Sequence, residues 1–418
     1  MTELQEGQNP ASDASKAGEG VAPKALDGVK DAPGQVFANK LDSVSLAAAS
    51  TNLITAPAPL VNSPVLIIGA GLLGASIGLA LTRTGVQVWL EDSSPTGLEL
   101  ACDLGAGQPL SAQPAPAPAL VVVATPPDVA GDVVVHALRN YPGAVVTDVA
   151  SVKEPIAKRV LECVPNLAQR YVGSHPMAGR ERSGAASARA DLFDARPWVL
   201  VATPVTSPNS LSAVRQLAID LGALPTQLGA AEHDRAVALI SHTPQLVASA
   251  LAARLEQAPE VALNLAGQGL RDTTRIAASD PRLWAAILNA NRSSVAQVLR
   301  ELRVDIDALI EALEQGRASV GTVVDVMQRG NLGRDRIPGK HGGAPSRYAE
   351  VMVLIPDAPG QLARLFNDVG AAQVNIEDLV IEHSAGQRQG LATLLVAPAA
   401  AVGLRQALEQ QGWKIVAN

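Results

Sequence analysis

Residues 65–74 read VLIIGAGLLG, a short β-branched apolar run that ends in Gly69, Gly71 and Gly74 and is followed at once by an apolar stretch of helical period. No other segment restricts the fold so strongly. Strand, glycine turn and helix in that order make the first unit of a parallel doubly wound sheet: Gly69 permits the tight turn, Gly71 lets backbone approach a pyrophosphate, and Gly74 allows close helix packing. Gly69, Gly71, Leu72, Leu73 and Gly74 are therefore candidate cofactor-binding residues, with the phosphates on a helix N-terminus whose unpaired N–H groups and dipole favour anions. Asp92 ends the next strand, VQVWLE, where a carboxylate can accept hydrogen bonds from ribose hydroxyls, and Glu91 is the neighbouring alternative. Ser93, Ser94 and Pro95 follow, so no arginine stands there to offset a 2′-phosphate, which favours NAD over NADP. Thr125 and Pro126, after the strand ALVVVAT, line the same cleft.

At 418 residues the chain exceeds the usual single domain. Residues 1–62, rich in Ala, Gly, Ser and Pro without apolar period, read as a disordered tail. Over 63–205 short apolar strands alternate with helices, the pattern of an α/β Rossmann-type dinucleotide-binding domain. From 206 to 333 the strands largely stop, and the stretches 232–257, 261–266, 283–291 and 293–315 predict an all-helical second domain. A basic Gly/Pro-rich linker spans 334–346, and 347–418 carries the β-α-β-β-α order of a small ferredoxin-like module.

A formal charge of −7 with scattered basic residues gives no footprint for nucleic acid, and a small soluble ligand is expected. Two cysteines, Cys102 and Cys163, are too few for a disulfide framework, and neither lies in a metal-like cluster, so no metal and a reducing cytoplasm are expected. The start MTELQEGQNP has neither a basic n-region nor an apolar core, so no export signal is expected. The stretch 65–82 approaches membrane-spanning length, but its glycine break after VLII reads as strand and turn, and no membrane partner is expected.

Ser151 in VTDVASVK and His175 in GSHPMAGRE both follow predicted strands on the ligand side of such a sheet. A base that takes a hydroxyl proton as hydride leaves the same carbon lowers the barrier, and histidine titrates in the right range. Of the six histidines, His136, His341 and His383 fall in a surface helix, the linker and the C-terminal module and read as structural or solvated. His233, at a helix start, reads as solvated or capping, while His242 in SHTPQLVASAL fits a satisfied core residue as well as a site residue. Arg271 and Arg275, one helical turn apart beside Asp272, could grip a carboxylate or form a surface charge cluster.

The blocks GAGLLGASI, VTDVASVK, GSHPMAGRE, SHTPQLVASAL and GLRDTTRIA, in this order, resemble the prephenate/arogenate dehydrogenase family over roughly residues 64–330. The resemblance implies that His175 hydrogen-bonds the ring hydroxyl and assists hydride transfer, with Ser151 close by. Arg275 then matches the carboxylate-binding arginine, Asp272 and Glu181 its polar support, and His242 a second substrate-pocket histidine. The implied chemistry is oxidative decarboxylation of prephenate to 4-hydroxyphenylpyruvate with NAD, or of arogenate to tyrosine; no residue decides between them. A homodimer is implied by the same resemblance, and no chorismate mutase segment is seen. Residues 348–416 resemble an ACT domain, through Asp357, Pro359 and Gly360 in its first loop and Asn375 and Ile376 at its second strand, which implies an aromatic amino-acid effector. A rival of another class is a non-catalytic NAD or amino-acid sensor, against which intact His175, Ser151 and Arg275 count.

Overall fold

The computed structural model describes residues 58–110, 117–178, 184–338, 348–383 and 389–416. The expected tail over residues 1–57, Glu181 and His341 lie outside these.

The α/β part runs β1 (Val65–Ile68), α1 (Leu72–Arg83), β2 (Val88–Glu91), α2 (Pro95–Asp103), β3 (Gln108–Pro109), β4 (Leu120–Val123), α3 (Pro127–Asn140), β5 (Val145–Asp148), α4 (Glu154–Cys163), β6 (Tyr171–Pro176), β7 (Pro197–Ala202), α5 (Pro208–Asp220) and β8 (Leu224–Gln227). Its eight strands lie in the order β3-β2-β1-β4-β5-β6-β7-β8, parallel except that β7 runs against β6 and β8 follows β7. β1 is buried at every position because helices cover both faces, so it reads as an unbroken apolar run. Val65 and Ile67 pack with Ile77, Leu81, Leu217 and Trp198 on one face. Leu66 and Ile68 pack with Val134, Leu138, Ile156 and Tyr171 on the other.

Two boundaries differ from the sequence reading. The sheet does not stop near 205, because α5 and β8 complete it; β8 is an exposed edge strand reading LPTQ, and its Pro225 and sparse apolar residues hide it from a pattern search. The expected tail also ends too late: Val61 is buried in the core, and the Leu60 and Val61 N–H groups donate to the Asp220 carboxylate at the end of α5.

The helical part comprises α6 (Ala230–Val237), a π turn (Ala238–His242), α7 (Thr243–Ala253), α8 (Glu260–Asn264), α9 (Gln268–Thr274), a 3-10 turn (Arg275–Ala277), α10 (Pro281–Ala290), α11 (Arg292–Gln315) and α12 (Val320–Arg334). The helical stretch expected over 232–257 runs as one helix over Ala230–Ala253, with a π turn just before Pro244, whose ring cannot donate and crowds the carbonyl one turn earlier. Among the described residues, only Ala230–Ala253 is long and apolar enough to cross a membrane. Its His233, Asp234, His242 and Gln245 are buried against other parts of the fold, as befits a domain helix.

The last part is β9 (Ala349–Pro356), α13 (Gln361–Ala371), β10 (Asp378–His383), β11 (Gln389–Val396), α14 (Pro398–Gln410) and β12 (Lys414–Val416). The strands form an antiparallel sheet ordered β10-β11-β9-β12, and Val351, Val353, Leu365, Leu394 and Leu404 form its core.

Candidate active site

Ile68 pairs with Glu91 on one side and Val123 on the other, Val123 pairs with Asp148, and Asp148 with Gly173. This register aligns the carboxyl ends of β2, β1, β4 and β5, with β6 running three residues further, so the residues that follow these strands share one edge. Strand order reverses between the parallel neighbours β1 and β4, since the chain builds outward through β2 and β3 on one side and through β5 and β6 on the other, and such a switch point is the crevice where these sheets bind ligands.

The glycine loop sits at that crevice. Gly69 has φ 105°, and a Cβ there would lie 2.6 Å from the Ala124 carbonyl oxygen, so the loop packs directly on the Thr125 turn. A Cβ on Gly74 would overlap the Gly69 carbonyl oxygen, whereas Gly71 faces open space. Ala70 N–H donates to Asp92 Oδ2 at 2.6 Å and Ser94 N–H to Oδ1 at 2.7 Å, which hold the carboxylate against the loop. α1 begins without a capping side chain or an acid in its first turn, leaving its N–H groups for an anion, with Leu72 and Leu73 half-buried beside them. Thr125 Oγ1 is buried with no partner, while Pro126 is exposed at the start of α3. Open backbone at Gly71, an uncapped helix start and an orphaned hydroxyl fit a dinucleotide.

His175 lies within β6 rather than after it, because β7 continues the ladder past the end of β5, pairing His175 with Val199. The side chain is half-buried. Beneath it Lys153 is fully buried, its ammonium bonded to the Asp148 carboxylate and, at 2.8 Å, to the Ser174 carbonyl; Tyr171 Oη donates to Asp148 Oδ2 at 2.7 Å. Burial pulls the Lys153 pKa down while Asp148 opposes it, and burial pushes the Tyr171 phenol well up. Burial, then His233, Lys153 and His242, hold the His175 imidazole well below its ordinary 6.5, so it is neutral at neutral pH. Ser151 Oγ, ahead of Lys153, is buried without a partner.

His233 is not solvated: it is 1% exposed, with Nε2 2.9 Å from His175 Nδ1 and Nδ1 2.7 Å from Asp234 Oδ1. The sequence signal was its spacing, since His233 and buried Val237 lie one turn apart on the inward face of α6. Asp234 also accepts from the Lys153 and Glu154 N–H groups, so an acid of the helical part caps α4 of the sheet part. His242 is 1% exposed; Asn291 Nδ2 lies 3.1 Å from its Nδ1 and its ring meets Trp284 edge-on. Burial lowers its pKa to about 4, against Asp234, which raises it.

Arg275 is exposed and opens the 3-10 turn that packs on α7, the helix His242 leads into. Asp272 is exposed and accepts from Gln268 Nε2 at 2.7 Å. In the C-terminal part Asp357, Pro359 and Gly360 line a hollow of about 380 Å³ with Ile355, Leu362 and Ile381. Asn375 and Ile376 are not among its lining residues, and the Asn375 amide donates to Glu377 instead. Among the described residues no group of three or more His, Cys, Asp or Glu is placed to hold a metal.

A nucleotide crevice with a neutral histidine on the same sheet edge defines a dinucleotide-dependent oxidoreductase. Residues 77–225 match the family model of the prephenate dehydrogenase nucleotide-binding domain, and 229–329 that of the prephenate dehydrogenase dimerization domain. The chain belongs to the prephenate dehydrogenase family. It is 35% identical to a probable prephenate dehydrogenase of Streptomyces niveus, over 83% of this chain and 98% of the relative. It also superposes, with TM-score 0.57 and 28% identity, on the Aquifex aeolicus prephenate dehydrogenase solved with hydroxyphenyl propionate and NAD+, covering 65% of this chain and 99% of that one. Synechocystis arogenate dehydrogenase gives a TM-score of 0.55 at 28% identity, covering 65% of this chain and 99% of that one.

Proposed function

We propose that the chain oxidises and decarboxylates prephenate to 4-hydroxyphenylpyruvate with NAD, a step of tyrosine biosynthesis. The observation that carries this reading is the neutral, half-buried His175 on the sheet edge that holds the nucleotide crevice. Bound NAD, held by the Gly69–Gly74 loop and Asp92, supplies the hydride acceptor. His175 takes the proton of the ring hydroxyl as that carbon loses hydride, and the Ser151 hydroxyl, otherwise unpartnered, orients the same oxygen. The ring carboxylate leaves as CO₂, its bonding pair completes the aromatic ring, and His175 returns the proton to the ring oxygen. Arg275 grips a substrate carboxylate, with Asp272, Glu181 and His242 as its polar surroundings.

The active unit is a homodimer: Leu239, Ile240, Val247 and Leu251 along the π turn and α7, and Ile306, Ile310 and Leu313 on α11, are exposed apolar residues that a second copy would cover. The C-terminal part is an ACT-type module whose hollow at Asp357–Gly360 takes an aromatic amino acid. Both cysteines are free thiols, which suits a cytoplasmic enzyme.

Measuring kcat/KM for prephenate and arogenate, each with NAD and NADP and with tyrosine titrated into the assay, tests this reading. The expected result is highest efficiency for prephenate with NAD and inhibition by tyrosine. An arogenate preference of about a hundredfold would overturn the substrate assignment.

A further inference from the structure

The buried pair His233 and Asp234 comes from the helical part yet reaches under the reacting histidine of the sheet part. We infer that His233 is a positioning residue that fixes the proton of His175 on Nδ1 and so leaves Nε2 free as the base; this rests on the proposed role of His175.

Hydrogen-bond directions along the chain of groups carry the inference. Three N–H donors converge on the Asp234 carboxylate: Lys153 N at 2.8 Å, Glu154 N at 2.9 Å and the His233 ring at 2.7 Å. A carboxylate can only accept, so His233 Nδ1 carries a hydrogen. In a neutral His233 the other nitrogen, Nε2, then has only a lone pair to offer. His175 Nδ1 stands 2.9 Å from it and must donate. A neutral imidazole has one N–H, so His175 Nε2 is left as a lone pair, the form that accepts a hydroxyl proton.

The reverse arrangement, with Nε2–H on His175, would present a donor to the substrate hydroxyl and no base. It requires a second proton on His233, whose Nδ1 meets the Asp234 carboxylate while its Nε2 faces His175, the ring that the Lys153 ammonium and His242 also face. Asp234 is itself anchored: Asn291 Nδ2 donates to its carbonyl at 2.7 Å, so the relay has no slack at its far end. The arrangement also couples the two parts of the chain, since the groups that set the base arrive with α6.

Nitrogen-15 spectra of histidine-labelled full-length protein read the arrangement directly, with the His175 signals assigned by their loss in His175→Asn. The expected spectrum shows a protonated Nδ1 and a pyridine-like Nε2 on His175. His233→Leu should lower kcat by about 100-fold or more with KM for prephenate and the NAD dissociation constant little changed, and should mix the two His175 tautomers. His233→Gln, whose amide oxygen can accept from His175 Nδ1, should restore most of kcat. A wild-type spectrum with the proton on Nε2, or wild-type kcat in a folded His233→Leu, overturns the inference. If His233→Leu does not fold, the wild-type spectrum decides alone. A wild-type protein that oxidises neither prephenate nor arogenate would instead sink the functional reading and leave the spectrum to judge the relay.

Discussion

His175 and Arg275 stand for the two halves of one proposed reaction, and they are held in opposite ways. Around His175 the polar groups are tied together: Lys153 to Asp148 and the Ser174 carbonyl, Tyr171 to Asp148, His233 to Asp234, and Asp234 to the start of α4. Around Arg275 little is buried, for α8, α9 and the 3-10 turn have no fully buried residue and α10 has only Ile287. Segments with few buried contacts open more readily than core strands. The difference teaches that the groups of the proposed proton transfer are preorganised within one chain, whereas the proposed carboxylate grip stands on short helices beside an apolar face that the proposed second copy would cover.

The largest expected break of this contrast is His175→Asn. Removing the base should cost about 10²- to 10⁴-fold in kcat while the NAD dissociation constant, set by the glycine loop and Asp92, stays near wild type. Turnover at the wild-type rate would refute the role of His175. Arg275→Ala should act on the other half: loss of a charge-assisted pair worth about 1.5–3 kcal/mol raises KM roughly 10- to 100-fold, with a smaller effect on kcat. Steady-state kinetics over a wide prephenate range separates the two signatures. An unchanged KM would remove Arg275 from the substrate site.

The same contrast marks where the sequence was legible. The Gly69–Gly74 turn between β1 and α1 and the place of Asp92 just after β2 could be read because they follow from local strand and turn positions that the chain spells out in order. β8 and the Leu60–Val61 contact could not, since one is a Pro-bearing edge strand and the other depends on Asp220, far along the chain. His233 was missed for a related reason: one turn of α6 decides whether it faces water or α4, and only the Asp234 cap on Lys153 and Glu154 settles it. Lys153 is not singled out by the sequence, because its burial and its ion pair with Asp148 are not announced by spacing alone.

The smallest expected effect sharpens the contrast through acid stability. His242 has a pKa of about 4 in the folded chain, against the ordinary 6.5 once unfolded. Between those values the unfolded chain binds more protons, so stability is fully present above pH 6.5 and is lost as pH falls toward 4. His175, lowered in the same direction, adds to the slope from the sheet side. Thermal melts of the wild type and His242→Gln from pH 7 to pH 4 should therefore converge on the acid side, with Tm moving by about 2–4 °C for each kcal/mol lost. Carboxylates away from His242 contribute equally to both proteins, so the difference between the curves reports His242 together with its interaction with Asp234. Parallel curves would mean that His242 is not held neutral beside Asn291 and Trp284.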